Sequence, residues 1–325
     1  MHKTRSSSLA ALLLILASAP ALAASPHILL FPAVGQPSEV AIHGRVLKQA
    51  PGQGSTTLSR NLRRLTASTW EGAPVEVSFA GQTLQTRSGD DGVFEVRFAL
   101  PEGAVVPGLH KVEARVPGAS ASQSTVRIVA DAAPFFVISD FDDTVAVSNV
   151  LQRSKVVQAA LLKDSHTHPV VPGMSGLYQC LVEDRSPNPG LAFVSGSPHQ
   201  FGPRIASFLQ HNGFPLSGLY LRNWGPDTMS GYKQPTIRKL MNQMKQPVIL
   251  FGDSGEKDPE VYAQIRSEFP ERVKDIYIRD AGRTADSKRF EGMVLFKDAR
   301  EAAAHALARG HIRQDCHDRV FGKSL

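Results

Sequence analysis

Several features that would assign a chain to a common functional class are missing from this one. Its 325 residues contain no Walker loop, dinucleotide-binding fingerprint, nucleic-acid-binding module or internal repeat. His305, His311, Cys316 and His317 have neither the regular spacing nor the partners of a zinc site. The composition, 42% hydrophobic and 20% charged, is typical of a folded globular protein. These absences argue against nucleic-acid binding and against zinc.

Cysteine is scarce, with only Cys180 and Cys316 in the chain. In an oxidising compartment the two could pair, but the sequence does not show how far apart they lie in space. A disulfide and two separate buried thiols therefore both stay open at this point.

The N-terminus has the features of a signal peptide. The basic start MHKTR is followed by the apolar stretch LAALLLILASAPALA, which ends in a small-residue cleavage signal before Ala24. Ser18 and Pro20 interrupt the stretch, which is short for a bilayer span of about 20 residues, so cleavage is favoured over an uncleaved anchor. No cysteine follows the site, which argues against a lipoprotein. We predict that residues 1–23 are removed and that the protein is secreted or periplasmic.

The net charge is only mildly basic. Removing Lys3 and Arg5 with the signal peptide takes the 36 basic residues to 34, against 30 acidic ones, which is a net charge of +4. Such a charge suits an anionic substrate or membrane surface, and it equally suits an ordinary solvated surface.

The mature chain divides into two predicted domains, over residues 24–133 and 134–325. The first contains short alternating segments between turns rich in glycine and proline, a pattern that predicts a small antiparallel β-sandwich. These segments are EVAIHGRVL, PVEVSFA, VFEVRFAL, HKVEARV and STVRIVA. The polar, basic stretch GQGSTTLSRNLRRLTAST between the first two is predicted to be an exposed loop or a short helix.

The second domain has a different pattern, in which apolar runs end in polar clusters and alternate with helical stretches. Strands that are apolar throughout and alternate with helices predict an α/β fold with a parallel sheet and helices on both faces. Functional sites in such sheets lie beyond the carboxyl ends of the strands. The apolar runs FFVIS, LAFV, VILF and DIYI are each followed by such a cluster.

The first cluster, in FFVISDFDDTVAVSN at residues 135–149, contains Asp140, Asp142 and Asp143. Carboxylates at the end of a buried strand are costly unless a positive group neutralises them, and a hard divalent cation with oxygen ligands does so. A turn with N-capping aspartates is the alternative interpretation.

Three further elements favour the metal interpretation. Ser195 ends the strand before Gly196, where a hydroxyl and nearby backbone amides can hold a phosphate oxygen. Lys233 lies just before a predicted helix and can neutralise phosphate charge. Asp253 and Asp258 in LFGDSGEKDPE follow another strand and are suited to complete a metal site, although an acidic loop that caps a helix is the alternative.

Together these elements resemble the haloacid dehalogenase superfamily, whose signature is Asp-x-Asp-x-Thr, then Ser or Thr, then Lys, then Gly-Asp-x(4)-Asp. In more detail the chain resembles the phosphatidate phosphatase catalytic-domain family of the actin-patch-protein type, over most of residues 39–310. The motifs that carry the resemblance are GRVL near residue 44, DFDDT, VPGMSGLYQCL, FVSGSP, NGFPLSGLYLRNWG, LFGDSGEKDPEVYAQI and IYIRD.

The sequence departs from the family pattern at three places. SGSPHQ stands where Ser-Ser-Ser-Pro-Trp is usual, Asn223 in LRNW stands where an aspartate is usual, and Tyr232 replaces a histidine beside the lysine. These changes leave the reaction type in place and bear on the substrate.

The resemblance implies a mechanism. Asp140 would be the nucleophile that forms an aspartyl-phosphate, and Asp142 the general acid and base. Asp140, the backbone carbonyl of Asp142 and Asp253 would hold Mg²⁺, with Asp258 a direct or water-mediated contributor. The phosphoryl group would be bound by Thr144, Ser195, Gly196 and Lys233. Asp143 has no role beyond shaping the loop.

The resemblance also implies a phosphate-ester substrate, phosphatidate or a related lipid phosphate. Only about 50 residues separate Asp140 from Ser195, which leaves room for one small flap near residues 148–168 and none for a large cap domain. Apolar residues of this flap, including Leu161 and Leu162, beside basic ones would suit contact with an anionic membrane, or would pack on the core. Alternatives are a phosphatase for soluble esters or phosphoproteins, and a secreted binding protein with an inactive phosphatase domain. The sequence does not indicate an oligomeric state.

Overall fold

The computed structural model describes residues 25–52, 59, 62–64, 66–147, 168–223 and 229–322. The predicted signal peptide at residues 1–23 and nearly all of the predicted flap, residues 148–167, lie outside the described residues. Of the polar stretch that follows the first predicted strand, residues 62–64 are helical.

The N-terminal half of the described chain consists of strands in one sheet. The order is β1-β3-β2-β8-β7-β4-β5, with β6 paired to β3, and every pair is antiparallel except β2 with β8. The strands are β1 (His27–Leu30), β2 (Ala33–Gln36), β3 (Glu39–Leu47), β4 (Pro74–Phe79), β5 (Gln82–Arg87), β6 (Val93–Ala99), β7 (Gly108–Arg115) and β8 (Ser122–Ile128).

Period-2 alternation produces these strands. In β6, Phe94, Val96 and Phe98 are buried while Glu95 and Arg97 are exposed, because successive side chains point to opposite faces. All five predicted strands are present, and β1, β2 and β5 are additional. The pattern of β5, QTLQTR, has no buried residue to reveal it. The sheet is continuous and brings β5 into contact with β6 around an apolar core.

The second half is a mixed α/β unit with a parallel sheet, as predicted. Its order is β11-β10-β9-β12-β13-β14, and all the pairs are parallel. The strands are β9 (Phe136–Ser139), β10 (Gly190–Pro198), β11 (Gly218–Arg222), β12 (Val248–Asp253), β13 (Val273–Arg279) and β14 (Val294–Phe296). The α-helices are α1 (Met174–Val182), α2 (Gly202–His211), α3 (Met229–Gln243), α4 (Asp258–Glu268), α5 (Ala299–Ala308) and α6 (Gln314–Phe321).

The helices cover both faces of this sheet. One apolar cluster contains side chains of α1, α2, α5 and α6, and a second contains side chains of α3 and α4. Strands β9 and β12 are buried at every position, because both of their faces carry helices. Among the described helices, none combines the length and the apolar character needed to cross a bilayer.

The two halves pack against each other along β3 and β11. Leu47 of β3 belongs to the same apolar cluster as the helices of the second half, and the His43 ring nitrogen Nε2 lies 2.9 Å from the Leu219 carbonyl oxygen. The Leu219 N–H donates to the Pro32 carbonyl. The edge strand β11 is therefore covered by the first half.

A disulfide joins Cys180 of α1 to Cys316 of α6. Both residues are fully buried in the same apolar cluster. Of the two alternatives left open by the sequence, the structure has the pair, and it ties the C-terminal helix to the helix that follows the predicted flap.

Candidate active site

Three neighbouring parallel strands bring the predicted residues to one edge of the second sheet. Asp140 follows β9 directly, Ser195 lies near the end of β10, and Asp253 ends β12. Because β10 and β12 flank β9 and run parallel to it, their carboxyl ends meet at the same place. Helix α3, which packs against β10, adds Lys233, and helix α4, which packs against β12 and β13, adds Asp258.

The centre of the site is a buried ion cluster. The ammonium of Lys233 lies 2.8 Å from Asp140 Oδ1 and 2.5 Å from Asp258 Oδ1. The side chains of all three are at most 2% exposed. Glu256, which is not among the predicted site residues, adds a fourth charge with its Oε2 3.7 Å from the same ammonium.

Burial and mutual charge shift the ionisation of this cluster. Burial raises the pKa of the Asp140 carboxyl well above its ordinary value; Lys233 opposes this rise, and the nearby carboxylates reinforce it. Burial alone would lower the pKa of Lys233, but attraction by Asp140 and Asp258 raises it well above the usual value. The lysine therefore stays charged, and it is outnumbered by carboxyl groups.

Asp253 is placed by its own loop and keeps one oxygen unengaged. The backbone N–H groups of Gly255 and Glu256 donate to Asp253 Oδ1 at 2.7 and 3.2 Å. Asp253 Oδ2 is buried and has no hydrogen-bond partner, and burial raises the pKa of this carboxyl well above its ordinary value. A buried, unpartnered carboxylate oxygen is rare, and such an oxygen is suited to bind a cation.

Ligand oxygens from Asp140, Asp253 and Asp258 lie within 4.8 Å of one another, close enough to share one metal ion. The residues present thus fit the metal that the sequence implies. Asp258 is the most constrained of the three, because Oδ1 binds Lys233 and Oδ2 accepts the Asp253 N–H at 3.2 Å. These two bonds favour an indirect role for Asp258 at the ion.

Glycine is required at position 252 by the closeness of Asp258. A Cβ at Gly252 would lie 2.6 Å from Asp258 Oδ2 and 2.7 Å from the Tyr262 ring. Such distances are shorter than van der Waals contact, so any side chain there would displace the Asp258 carboxylate or the ring.

The loop after β9 folds back and carries Asp142 to the side of β10. Asp143 has a positive φ of 54°, and its N–H donates to the Ala146 carbonyl at 2.7 Å. Arg279, at the end of β13, donates to the Asp143 carbonyl at 2.6 Å. Thr144 Oγ1 lies 3.4 Å from Asp140 Oδ2. Asp143 thus shapes the loop through its backbone.

Two serines of β10 contact the Asp142 carboxylate. Ser197 Oγ donates to Asp142 Oδ2 at 2.9 Å, and Ser195 Oγ lies 3.5 Å from the same oxygen. The Ser197 N–H donates to Ser195 Oγ at 3.0 Å. Gly196 lies between them, and its carbonyl accepts from Arg222 Nε at 2.5 Å.

The structure thus brings together all the predicted site residues and adds Ser197, Glu256 and Arg279. Ser197 could have been found from the SGSP motif, because residues two apart on a strand share a face. Glu256 lies within the quoted LFGDSGEKDPE loop, and Arg279 within IYIRD. No pattern in the sequence shows that their side chains or hydrogen bonds turn toward the site.

Comparisons with known proteins show that the second half is similar to a phosphatidate phosphatase catalytic domain. Residues 135–280 match the family model described as phosphatidate phosphatase APP1, catalytic domain. The resemblance of the motifs to the phosphatidate phosphatase catalytic-domain family is thereby confirmed. The matched range includes every predicted catalytic, phosphate-binding and metal-binding residue.

Two curated relatives cover the same part of the chain. An uncharacterized protein of Schizosaccharomyces pombe is 31% identical over 153 residues, and phosphatidate phosphatase APP1 of Saccharomyces cerevisiae is 28% identical over 152 residues. Each alignment covers 44% of this chain but only 25% of the relative. Among solved structures, a carbohydrate acetylesterase from Xanthomonas citri shares 13% identity at a TM-score of 0.31, over 88% of this chain and 76% of that one. A score this low supports no conclusion.

Proposed function

We propose that this protein is a Mg²⁺-dependent phosphomonoester hydrolase that acts through an aspartyl-phosphate on Asp140. The observation that carries the proposal is the contact between the buried Asp140 carboxylate and the Lys233 ammonium at 2.8 Å. This pair places a nucleophile beside a positive charge that attracts a phosphoryl group. The match of residues 135–280 to a phosphatase catalytic domain supports the same reaction.

The reaction has two steps. A carboxylate oxygen of Asp140 attacks phosphorus, and the bond from phosphorus to the leaving oxygen breaks while Asp142 gives that oxygen a proton. Asp142 then takes a proton from water, whose oxygen attacks the phosphorus of the aspartyl-phosphate. Inorganic phosphate leaves and the Asp140 carboxylate is restored. Ser197 orients Asp142 for both proton transfers through the 2.9 Å hydrogen bond.

The remaining residues bind the phosphoryl group or the metal. Thr144, Ser195, Gly196 and Lys233 position phosphoryl oxygens and stabilise the charge that develops on them. Bound Mg²⁺ would neutralise the carboxylate excess and act as a Lewis acid on the phosphoryl oxygens. Asp140, the Asp142 carbonyl and Asp253 would hold it, with Asp258 contributing directly or through water.

We also assign the parallel sheet to the haloacid-dehalogenase-like class and the N-terminal sheet to the β-sandwich class. The domain boundaries that follow are residues 24–133 and 134–325. What supports these assignments is the all-parallel sheet with the nucleophile after its central β9, and the separate apolar core enclosed by β1 to β8.

The substrate we propose is phosphatidate or a related lipid phosphate. The name of the yeast relative supports this class, and the flap at residues 148–168 is too small to close over the site as a cap domain. Peripheral contact of that flap with a membrane belongs to the same proposal. Vesicle phosphatidate hydrolysis by a Leu161→Asp, Leu162→Asp variant should fall while hydrolysis of a soluble ester is spared. Equal loss on both substrates would indicate core packing instead.

We further propose that the protein is secreted or periplasmic, with residues 1–23 cleaved. The disulfide between Cys180 and Cys316 supports an oxidising compartment. Mass spectrometry of the protein from an expressing culture should find a mature chain that begins near Ala24. An intact N-terminus on the exported protein would contradict the cleavage.

The test of the catalytic proposal is phosphate release by the purified mature protein with Mg²⁺, on mixed micelles of phosphatidate and on soluble phosphate esters. Asp140→Asn keeps the shape of the side chain but removes the attacking charge, so turnover should fall by about 10³-fold or more. The matched control is Asp131→Asn, at an exposed side chain, which should keep wild-type turnover. Near-normal hydrolysis by Asp140→Asn would refute the mechanism.

The metal is tested separately. Turnover should be abolished by excess EDTA and restored by Mg²⁺, and Asp253→Asn should raise the Mg²⁺ concentration needed for half-maximal activity. Full activity in EDTA would exclude the metal site. No hydrolysis of any ester by the folded wild type would favour the alternative of a binding protein with an inactive phosphatase domain.

A further inference from the structure

Three polar side-chain atoms that lack hydrogen-bond partners lie buried where the first half of the chain meets β10 and β11. They belong to Arg45 of β3, to His199 directly after β10, and to Asn223 directly after β11. Arg45 Nη1, His199 Nδ1 and Asn223 Oδ1 are each buried without a partner of standard geometry. Arg45 is 3% exposed and His199 8%.

The fold brings these three residues together. Pro198 of β10 pairs with Arg222 of β11. The residues that follow them, His199 and Asn223, therefore lie side by side. The Asn223 side chain lies within hydrogen-bonding reach of the His199 ring, although no bond of standard geometry joins them, and Arg45 acts on the ring through its charge.

Arg45 faces the second half of the chain because it lies on the same face of β3 as His43 and Leu47, two residues away on either side. Leu47 packs in the core of the second half, and His43 stacks on Tyr220 of β11 with ring centroids 4.8 Å apart. The Arg45 Nε donates to the Asp91 carbonyl at 2.6 Å, which leaves Nη1 as the unengaged end.

The His199 ring is held in place and uncharged. It stacks on Phe31 with centroids 5.4 Å apart. Burial, with a smaller contribution from His43 and Arg45, lowers the pKa of His199 to about 3. A neutral imidazole has one donor and one acceptor nitrogen. The Leu221 backbone is a hydrogen-bond partner of the ring, so the unpartnered Nδ1 is the nitrogen available to a hydroxyl group.

This cluster lies on the leaving-group side of the proposed reaction. Asp142, which protonates the leaving oxygen, is held by Ser197, two residues before His199. Asp258 and Glu256, which contact Lys233 beside Asp140, belong to the segment that follows β12, across β9 from β10. A group attached to the leaving oxygen therefore extends past Ser197 toward His199 and Asn223.

We infer that Arg45, His199 and Asn223 form a subsite for a free hydroxyl group on the alcohol portion of the substrate. Arg45 Nη1 needs an acceptor and Asn223 Oδ1 needs a donor, and a hydroxyl group supplies both. The substrate is then a phosphate ester of glycerol, or of a similar polyol, that keeps at least one hydroxyl unesterified. Within the proposed class of lipid phosphates, a monoacyl glycerol phosphate meets this condition, whereas phosphatidate, with both of its other hydroxyls acylated, does not. The inference rests on the proposed function, and it gives the N-terminal sheet a role in substrate recognition.

The test measures binding rather than turnover, in the Asp140→Asn background where an ester stays intact. Glycerol 3-phosphate and n-propyl phosphate share a carbon skeleton and differ in two hydroxyl groups. Calorimetry with Mg²⁺ present should show glycerol 3-phosphate binding about tenfold more tightly, because unpaired buried polar groups penalise the analogue that lacks the hydroxyls.

Variants should abolish this preference. His199→Phe keeps the ring that stacks on Phe31, and Asn223→Leu keeps the approximate volume; each should bring the affinity ratio to within about twofold of unity. Arg45→Lys, which keeps a charge but changes its reach, should reduce the ratio too. Asn242→Leu, at an exposed position of α3, is the matched control and should retain it. Thermal melting confirms that each variant is folded.

Three results would overturn the inference: equal affinity for the two esters, failure of both to bind, or an affinity ratio that is unchanged in Asn223→Leu and His199→Phe. Water would then be the partner of these polar groups. A wild type that binds selectively but hydrolyses nothing would refute the proposed reaction while leaving the subsite in place. Monoacyl and diacyl glycerol phosphates in detergent distinguish the source. Preference for the monoacyl form indicates a lipid, and preference confined to the soluble pair indicates a soluble ester.

Discussion

Replacing Lys233 by methionine should destabilise the protein far more than an ordinary loss of a surface charge. Methionine keeps much of the buried stem of the side chain but removes the ammonium from a site that is 2% exposed. Asp140, Asp258 and Glu256 would then face one another without the positive charge that lies 2.5 to 3.7 Å from their oxygens.

The magnitude follows from these distances. At an effective dielectric constant of about 20, each lysine–carboxylate pair is worth about 4 to 7 kcal/mol before desolvation is subtracted. Removing one partner of a buried ion pair costs about 3 to 5 kcal/mol in free energy of unfolding after that offset. For a cooperative unit of roughly 200 residues this corresponds to a fall in Tm of about 6 to 20 °C.

The assay is thermal unfolding in EDTA, followed by circular dichroism. Lys245→Met is the matched control, because Lys245 is 64% exposed and lies 3.8 Å from Asp131, an exposed pair worth at most about 1 kcal/mol. Added Mg²⁺ should restore part of the stability of Lys233→Met, since a cation replaces the missing charge. Equal Tm values for the two lysine variants would show that Lys233 does not neutralise the cluster, and the site would need to be reinterpreted.

Three other outcomes are expected. Gly252→Ala should reduce turnover at least tenfold because its Cβ would lie 2.6 Å from Asp258 Oδ2, and normal kinetics in a folded variant would contradict this. Gly89→Ala, where the nearest atom lies 3.8 Å away and φ is −81°, controls for the loss of glycine alone. The double variant Cys180→Ala, Cys316→Ala should lose about 5 kcal/mol of unfolding free energy in guanidinium, because the bond closes a loop of 136 residues, and an unchanged midpoint would argue against the bond in solution. Burial lowers the pKa of His199 to about 3. Between about pH 3 and 6.5 the ring is therefore unprotonated in the folded protein and protonated in the unfolded chain. The stability that this difference contributes is complete above about pH 6.5 and is lost as the pH falls, by about 2 kcal/mol at pH 5. His199→Phe should flatten that decline in urea titrations at successive pH values, while His211→Phe, at an exposed position, should retain it.

Local patterns in the sequence were enough for the elements that depend on one strand or one loop. The runs FFVIS and VILF predict buried parallel strands, and β9 and β12 are buried at every position. The clusters of aspartates after them predict a metal site because like charges at a strand end need a cation. The polar strand β5 escaped detection, since a strand without a buried face has no apolar alternation.

Relations across long sequence separations were decided by the tertiary structure. Cys180 and Cys316 are paired because α1 and α6 pack on the same face of the sheet, which no spacing reveals. Glu256 contacts Lys233 only because α3 and the loop after β12 converge.

Arg45 is the clearest case. Its place in the motif GRVL was visible in the sequence, but its position beside His199 and Asn223 depends on how β3 packs against β11. Residue type and local periodicity thus determined the chemistry available to this protein. Packing between distant segments decided which of those groups meet, because contacts across more than a hundred residues leave no periodic signal in the chain.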